Sequence, residues 1–361
     1  MTWLLALILG LAHGASDASA GLLVGLILQQ KTPDVNILIL LYNLLAFGLQ
    51  PIFGMAFDRI RQPKPGASLG LILTVLGLLT VQANLNIAII LIGLGSAGLH
   101  AGGGSVAITS TPGKASAPGV FAAFGVVGLA LGGLAALHYS PWIAQALAIL
   151  LASLAVIIWL MPQNSTTGWN KLEPVLGNAA LRVSNVLVIL LVLAVALRST
   201  VWVDAQINVG RYSSAALWVA LAAGTGKLMG GFASDRIGWD RWMLTAMGSS
   251  AVLLAFTSNE IIPATGWAWL PGLLLGVFFL QSMTPLSIAA AGKALPHSPA
   301  LAASLTLGTA IITGGLPFFF FVPLPGMSHG WVRTALLALV LLASGSLYWV
   351  FLNKTRSINR A

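Results

Sequence analysis

Five ionisable side chains stand inside long apolar stretches of this sequence: His13, Asp17, His100, Arg198 and Lys227. An ionisable group held at that depth in hydrocarbon is costly, so it marks a substrate contact, an ion path or a proton relay. His13 and Asp17 are four residues apart and share one face of a helix. Gly10, Gly14 and Gly21 lie on or beside that face, while Leu4, Ile8, Leu11 and Leu22 point largely the other way, so the stripe faces protein or water. Asp17 lies about 21 Å along its span from Trp3, and Arg198 about 22 Å along its own from Val183, in the same direction. The expectation is that Asp17 carries a proton and Arg198 is its switchable partner or the substrate anchor. A guanidinium that approaches in one state and withdraws in another swings the carboxyl's affinity for protons. A static ion pair, or an Asp17 bonded only to His13, is the plainer alternative. His100 sits among glycines, where it could bind an anion, relay a proton or serve as a hydrogen-bonded structural group. Lys227 lies about 12 Å from the following loop, within reach by snorkelling.

A second set is repeated. Gly54-Met-Ala-Phe-Asp58-Arg59-Ile60 returns as Gly231-Phe-Ala-Ser-Asp235-Arg236-Ile237. Each aspartate closes a span end, where the helix dipole disfavours negative charge, so the N-terminus of another helix is expected opposite. The spans beginning near Pro118 and Pro299 are suitable, since proline is tolerated in a first turn. No metal cluster, phosphate-cradling loop or nucleophile–base spacing stands out, which argues against an enzyme. Gly102-Gly103-Gly104-Ser105 lacks the lysine of a phosphate loop.

The elements that must position these groups are set by composition. Of 361 residues, 58% are hydrophobic and 7% charged, against roughly 25% charged in a soluble domain. The apolar blocks are continuous and most reach the ~20 residues that a helix needs to cross a bilayer; a barrel would alternate. Twelve spans are expected: 2–28, 35–57, 67–83, 86–110, 117–138 and 141–161, then 183–206, 212–234, 242–258, 262–290, 299–323 and 330–353. The first is taken as a span and not a cleaved signal, because no Lys or Arg precedes it and its apolar run resumes after Asp17. Of the 17 Lys and Arg, twelve fall on the side shared by the termini against three on the other, so both termini should be cytoplasmic. The net charge of +9 is thereby topological and does not call for nucleic acid.

Gly113-Lys114-Ala115 and Gly292-Lys293-Ala294, and Gly132-Gly133-Leu134 and Gly314-Gly315-Leu316, repeat in the same order as the aspartate loops, at offsets of 179, 182 and 177 residues respectively for the three pairs. Loops repeated on one membrane side require an even number of spans between them. The reading is all-α, with parallel six-helix bundles at 1–162 and 182–361 and a polar linker at 163–181. Sites in such folds lie between the halves near the midplane. Gly125, Gly128, Gly132 and Gly133 are expected to serve packing where the halves meet, and Pro285 and Pro317 to bend their spans.

The two Gly-x-x-x-Asp-Arg loops resemble the cytoplasmic loop motif of the major facilitator superfamily; the second keeps the following glycine, Gly238, and the first does not. His13-x-x-x-Asp17, Gly95–Gly103 around His100, Arg198-Ser199, and Ala302–Leu305 with Gly314-Gly315-Leu316 resemble its fosmidomycin-resistance branch. The resemblance implies the major facilitator fold and a secondary transporter of a bacterial inner membrane. It further implies proton-driven efflux of a small polar or drug-like molecule, with no cofactor beyond the proton gradient. It also implies that Asp58 pairs with span eleven and Asp235 with span five, latching an outward-facing state with help from Arg59 and Arg236. The expected partners are lipid, protons and substrate, the chain acting as a monomer. An importer of a small anion or nutrient is the near alternative, and a non-transporting receptor or assembly factor the distant one.

Overall fold

A computed structural model describes residues 2–30, 33–162, 178–209, 215–256, 269–309, 311–315 and 330–358. Among them the chain is all-helical. We label the helices α1 Thr2–Gln29, α2 Val35–Ile60, α3 Pro63–Thr80, α4 Leu85–Ser110, α5 Ser116–Leu137 and α6 Pro141–Leu160. The later ones are α7 Asn178–Val209, α8 Ala216–Ile237, α9 Trp239–Phe256, α10 Leu270–Ala294, α11 from Pro299–Ser304 onward and α12 Gly330–Ile358. Two helices carry π-helical turns, α2 at Leu44–Gly48 and α11 at Leu305–Thr309, and the two turns touch.

Ten of these helices are long and apolar enough to cross a membrane. The outer face of α6 is typical: Trp142, Ile149, Val156 and Leu160 are exposed, an apolar surface that water would reject and lipid accepts. The chain is a multi-pass membrane protein. Helices α9 and α11 fall short of that measure. The first turn of α9 is Trp239-Asp240-Arg241, and the described course of α11 stops at residue 315. The expected linker falls outside the described residues at 163–177, and its last four residues are instead the start of α7; Pro317 also lies outside the described residues.

Local chemistry sets the helix ends. Pro63, Pro141 and Pro299 open theirs at the first position, where a missing N–H is harmless. The Asn84 side chain caps α4 by accepting from the Ile87 N–H at 3.1 Å. Lys64, buried at the start of α3, donates to the Trp159 and Met161 carbonyls at the end of α6, which satisfies acceptors that a helix C-terminus leaves unpaired.

Helix pairings recur with a shift of six. α1 packs on α5 and α6, α2 on α4, and α3 on α4 and α6; α7 packs on α11 and α12, α8 on α10, and α9 on α10 and α12. α5 against α8 and α2 against α11 join the two series. The glycine face of α5 is placed differently from the sequence expectation. Gly128 and Gly132 lie against α1, where a Cβ would collide with the Gly14 and Ala18 carbonyls. They bind two helices of one series to each other. Only Gly119, further toward the start of α5, meets α8, at Lys227 and Gly231.

Candidate functional site

The close α1–α5 contact fixes the first ionisable pair. A side chain at Gly125 would strike His13 Nε2 and Asp17 Oδ2, so this glycine leaves the space that the pair occupies. His13 is 3% exposed, and its Nδ1 lies 2.9 Å from the Phe121 carbonyl on α5. A carbonyl only accepts, so Nδ1 carries the proton. His13 Nε2 then faces Asp17 Oδ2 at 3.2 Å, and the pair holds one proton between them or an imidazolium beside a carboxylate. His100 on α4 repeats the logic. Its Nδ1 donates to the Ser96 carbonyl at 2.8 Å, with Ser96 Oγ at 3.2 Å, and its Nε2 points to Asp17 Oδ1 at 4.0 Å. The two imidazoles meet edge to face with centroids 4.5 Å apart. Tyr42 on α2 hydrogen-bonds Ser96, extending the network to a fourth helix.

A cavity of about 450 Å³ opens from Asp17 between α1, α2 and α5. Its far lining, Leu28, Gln29, Ile39 and Leu137, belongs to the helix ends opposite Asp58 and Asp235.

Arg198 does not meet Asp17. It is 5% exposed and donates from one terminal nitrogen to the Leu280 carbonyl at 3.1 Å and to Thr284 Oγ1 at 2.8 Å. Tyr348 of α12 also hydrogen-bonds the guanidinium. Thr284 passes its own proton to Gln281 Oε1 at 3.1 Å, and Tyr348 shares one with Ser287. Arg198 Nε is buried with no partner. In this conformation Arg198 stands apart from Asp17, the position that a switchable partner takes when withdrawn. Among the described residues the ion pairs of Asp17 are with histidines, and Arg198 has none. Lys227 lies inside its span. It is half-buried and close enough to interact electrostatically with both Asp17 and Arg198, so its charge belongs to the interior and not to the loop. Thr284, Gln281, Tyr348, Tyr42 and Ser96 were not singled out from the sequence. The available signal was a tyrosine, one of 4 in the chain, inside each of two apolar spans.

The repeated aspartates sit on helix N-termini. Asp58 accepts from the Ala300 and Leu301 N–H groups at 3.0 and 2.8 Å; Asp235 accepts from Ala115 and Ser116 at 2.8 and 3.0 Å. Each carboxylate thus binds the positive end of a helix through charge-assisted hydrogen bonds. The glycine of the motif is what lets that end approach. A Cβ on Gly54 would lie 2.8 Å from the Ala300 carbonyl, and one on Gly231 would lie 2.7 Å from that of Ala115. Arg59 and Arg236 are exposed and neither pairs with its neighbouring aspartate. The Asp235 contact has extra parts: Trp239 Nε1 reaches Asp235 at 3.5 Å, and Lys293 stands 3.9 Å over the Trp239 ring.

Solved structures with the same arrangement exist. A variant of the E. coli fucose:proton symporter FucP superposes with a TM-score of 0.69 at 14% identity, covering 96% of this chain and 98% of that one. FucP, a major facilitator superfamily transporter, in its outward conformation gives 0.70 at 14% identity, over 97% and 98%. The fold is that of the major facilitator superfamily. The proton:xylose symporter XylE bound to 6-bromo-6-deoxy-D-glucose agrees, at 0.68 and 13% identity over 97% and 95%. No family model matches the sequence, and no curated protein matches it. The similarity shown is one of fold.

Proposed function

We propose that the chain is a secondary active transporter, not an enzyme, that works by alternating access. It is built as two six-helix bundles, 1–162 and 182–361, with 163–181 between them and twelve spans in all. The carrying observation is an opposition of ends. Two aspartate latches close one end across α2–α11 and α5–α8, while a cavity runs from Asp17 toward the other. That is an outward-facing arrangement if both termini are cytoplasmic, as the distribution of positive charge supports, and one of the similar structures is an outward conformation. Asp17, with His13 and His100, is the coupling-ion site. The proton is the ion assigned, in keeping with neighbours named as proton symporters. Arg198 and Lys227 face the cargo from the other side. We place the protein in a bacterial inner membrane, as a monomer that exports a small polar or drug-like molecule.

Import of a small anion or nutrient is the second reading. The neighbours are symporters by name, which favours import at least as much as export. Arg198 is a buried cation with no carboxylate against it among the described residues, a setting that an anion would complete.

The latch is testable because the chain has no cysteine. A cysteine at Ile39, in the cavity wall, should react with an impermeant thiol reagent, and one at Ser304, buried behind the Asp58 latch, should not. In the Asp58→Asn/Asp235→Asn double variant the Ser304 site should become reactive and the Ile39 site protected. Identical labelling of both sites in both backgrounds would remove the latch from the mechanism.

A further inference from the structure

We infer that His13, Asp17 and His100 form a binding site for a divalent transition-metal ion of the zinc class. The proposal goes beyond the transport reading and stands without it. One ligand atom from each residue, a ring nitrogen of each histidine and a carboxylate oxygen, lies within 4.8 Å of the others. In a tetrahedral zinc site with ligands at 2.0–2.1 Å, neighbouring donors are roughly 3.3 Å apart. His13 Nε2 already stands 3.2 Å from Asp17 Oδ2, and His100 Nε2 lies 4.0 Å from the other oxygen, Oδ1, so closure around one ion needs His100 to draw in toward the pair.

The arrangement around the three is what metal ligation requires. A ligating histidine gives its other ring N–H to a carbonyl or carboxylate, which fixes its tautomer and aims the free nitrogen at the metal. Both histidines do so, His13 to Phe121 and His100 to Ser96. Two imidazoles and one carboxylate suit zinc and its transition-metal neighbours better than calcium or magnesium, which prefer oxygen. Three protein ligands leave one position open. Asp17 borders the cavity, so an ion has a way in and water can take the fourth place. The charge that opposes binding is Lys227, which interacts with Asp17. An ion so held would tie α1 to α4.

The test uses untagged protein in detergent, with no gradient and no substrate. Binding of Zn²⁺ is followed by calorimetry, and binding of Co²⁺ by its visible absorption. One ion should bind per chain. His13→Gln and His100→Gln should each weaken it at least about tenfold, and Lys227→Met should tighten it. His138→Gln and His297→Gln, away from the cluster, should change nothing. A helical circular-dichroism spectrum and an unchanged gel-filtration profile qualify each variant. Should either cluster histidine prove unfoldable, Asp17→Asn in its place must show the same loss. Absence of binding by the wild type, or binding that survives in His13→Gln and His100→Gln, overturns the site. Neither result touches the latch experiment, and a failed latch experiment leaves metal binding as it was.

Discussion

The two sides of the interior answer the same problem, an ionisable group at equivalent depth, in different ways. On the α1–α4 side Asp17 is met by two histidines whose outer nitrogens are pinned to carbonyls. On the α7–α10 side Arg198 is met by a carbonyl, a threonine and a tyrosine, and one of its nitrogens is left over. The first cluster is complete when it carries a proton or a cation. The second is incomplete by one hydrogen-bond acceptor. The helix pairings recur between the two series, but the two polar centres do not: one gathers imidazoles around a carboxylate, the other neutral oxygens around a guanidinium.

The comparison is broken most severely at Asp17. Asp17→Asn should abolish coupled movement in proteoliposomes under an imposed pH gradient, a loss of about 100-fold or more for a group acting only through its proton. Retained coupling with an unchanged pH profile would make the cluster merely structural. Arg198→Lys should be milder. An ammonium cannot reproduce the spread of donors that reaches Leu280 and Thr284 and leaves one over, so substrate affinity should fall about tenfold, the equivalent of one charged hydrogen bond. Thr284→Val should give part of that loss. An Arg198→Lys protein that binds as the wild type does would make the two sides alike after all.

The smallest effect lies in the loops, where an arginine of one stands at the position of a glycine in the other. Arg61 has φ 54, and Gly238, its counterpart 177 positions on, has φ 99. The left-handed conformation of Arg61 costs a residue with a Cβ about 1–2 kcal/mol, and Gly238, at ψ 141, lies outside that region, where a Cβ is tolerated less still. Arg61→Gly should therefore raise thermal stability slightly and Gly238→Ala lower it, in a melting assay on detergent-solubilised protein. Equal and opposite shifts would mark the two loops as physically equivalent.

The helices were legible because their signal is bulk composition. Each span needed only enough consecutive apolar residues, and among the described residues the ends found are within about five residues of those expected, apart from the start of α10 at Leu270. The Asp58 and Asp235 geometry was legible for another reason: a carboxylate at a helix C-terminus is out of place locally, and only a second helix's N-terminus resolves it. Contacts between helices were harder to read. His100 meets Asp17 because α4 crosses α1, and no spacing in the chain encodes that crossing. The glycines of α5 announced close packing but not against which helix, since Gly128 suits a carbonyl of α1 as well as one of α8. Arg198 and Asp17 were expected to meet because they share a depth. Depth says nothing about direction around the axis, and Arg198 turns toward Thr284 instead.

The touching π-helical turns of α2 and α11 have one more effect. Above the turn α2 supplies Tyr42, Asn43 and Ile39 to the cavity; below it the same helix supplies Gly54 and Asp58 to the latch. An inserted residue resets the angular register of everything that follows it. The chamber and its lock can therefore be tuned as separate parts although one rod carries both, and mutations that reshape what the chamber accepts need not disturb how the far end is fastened.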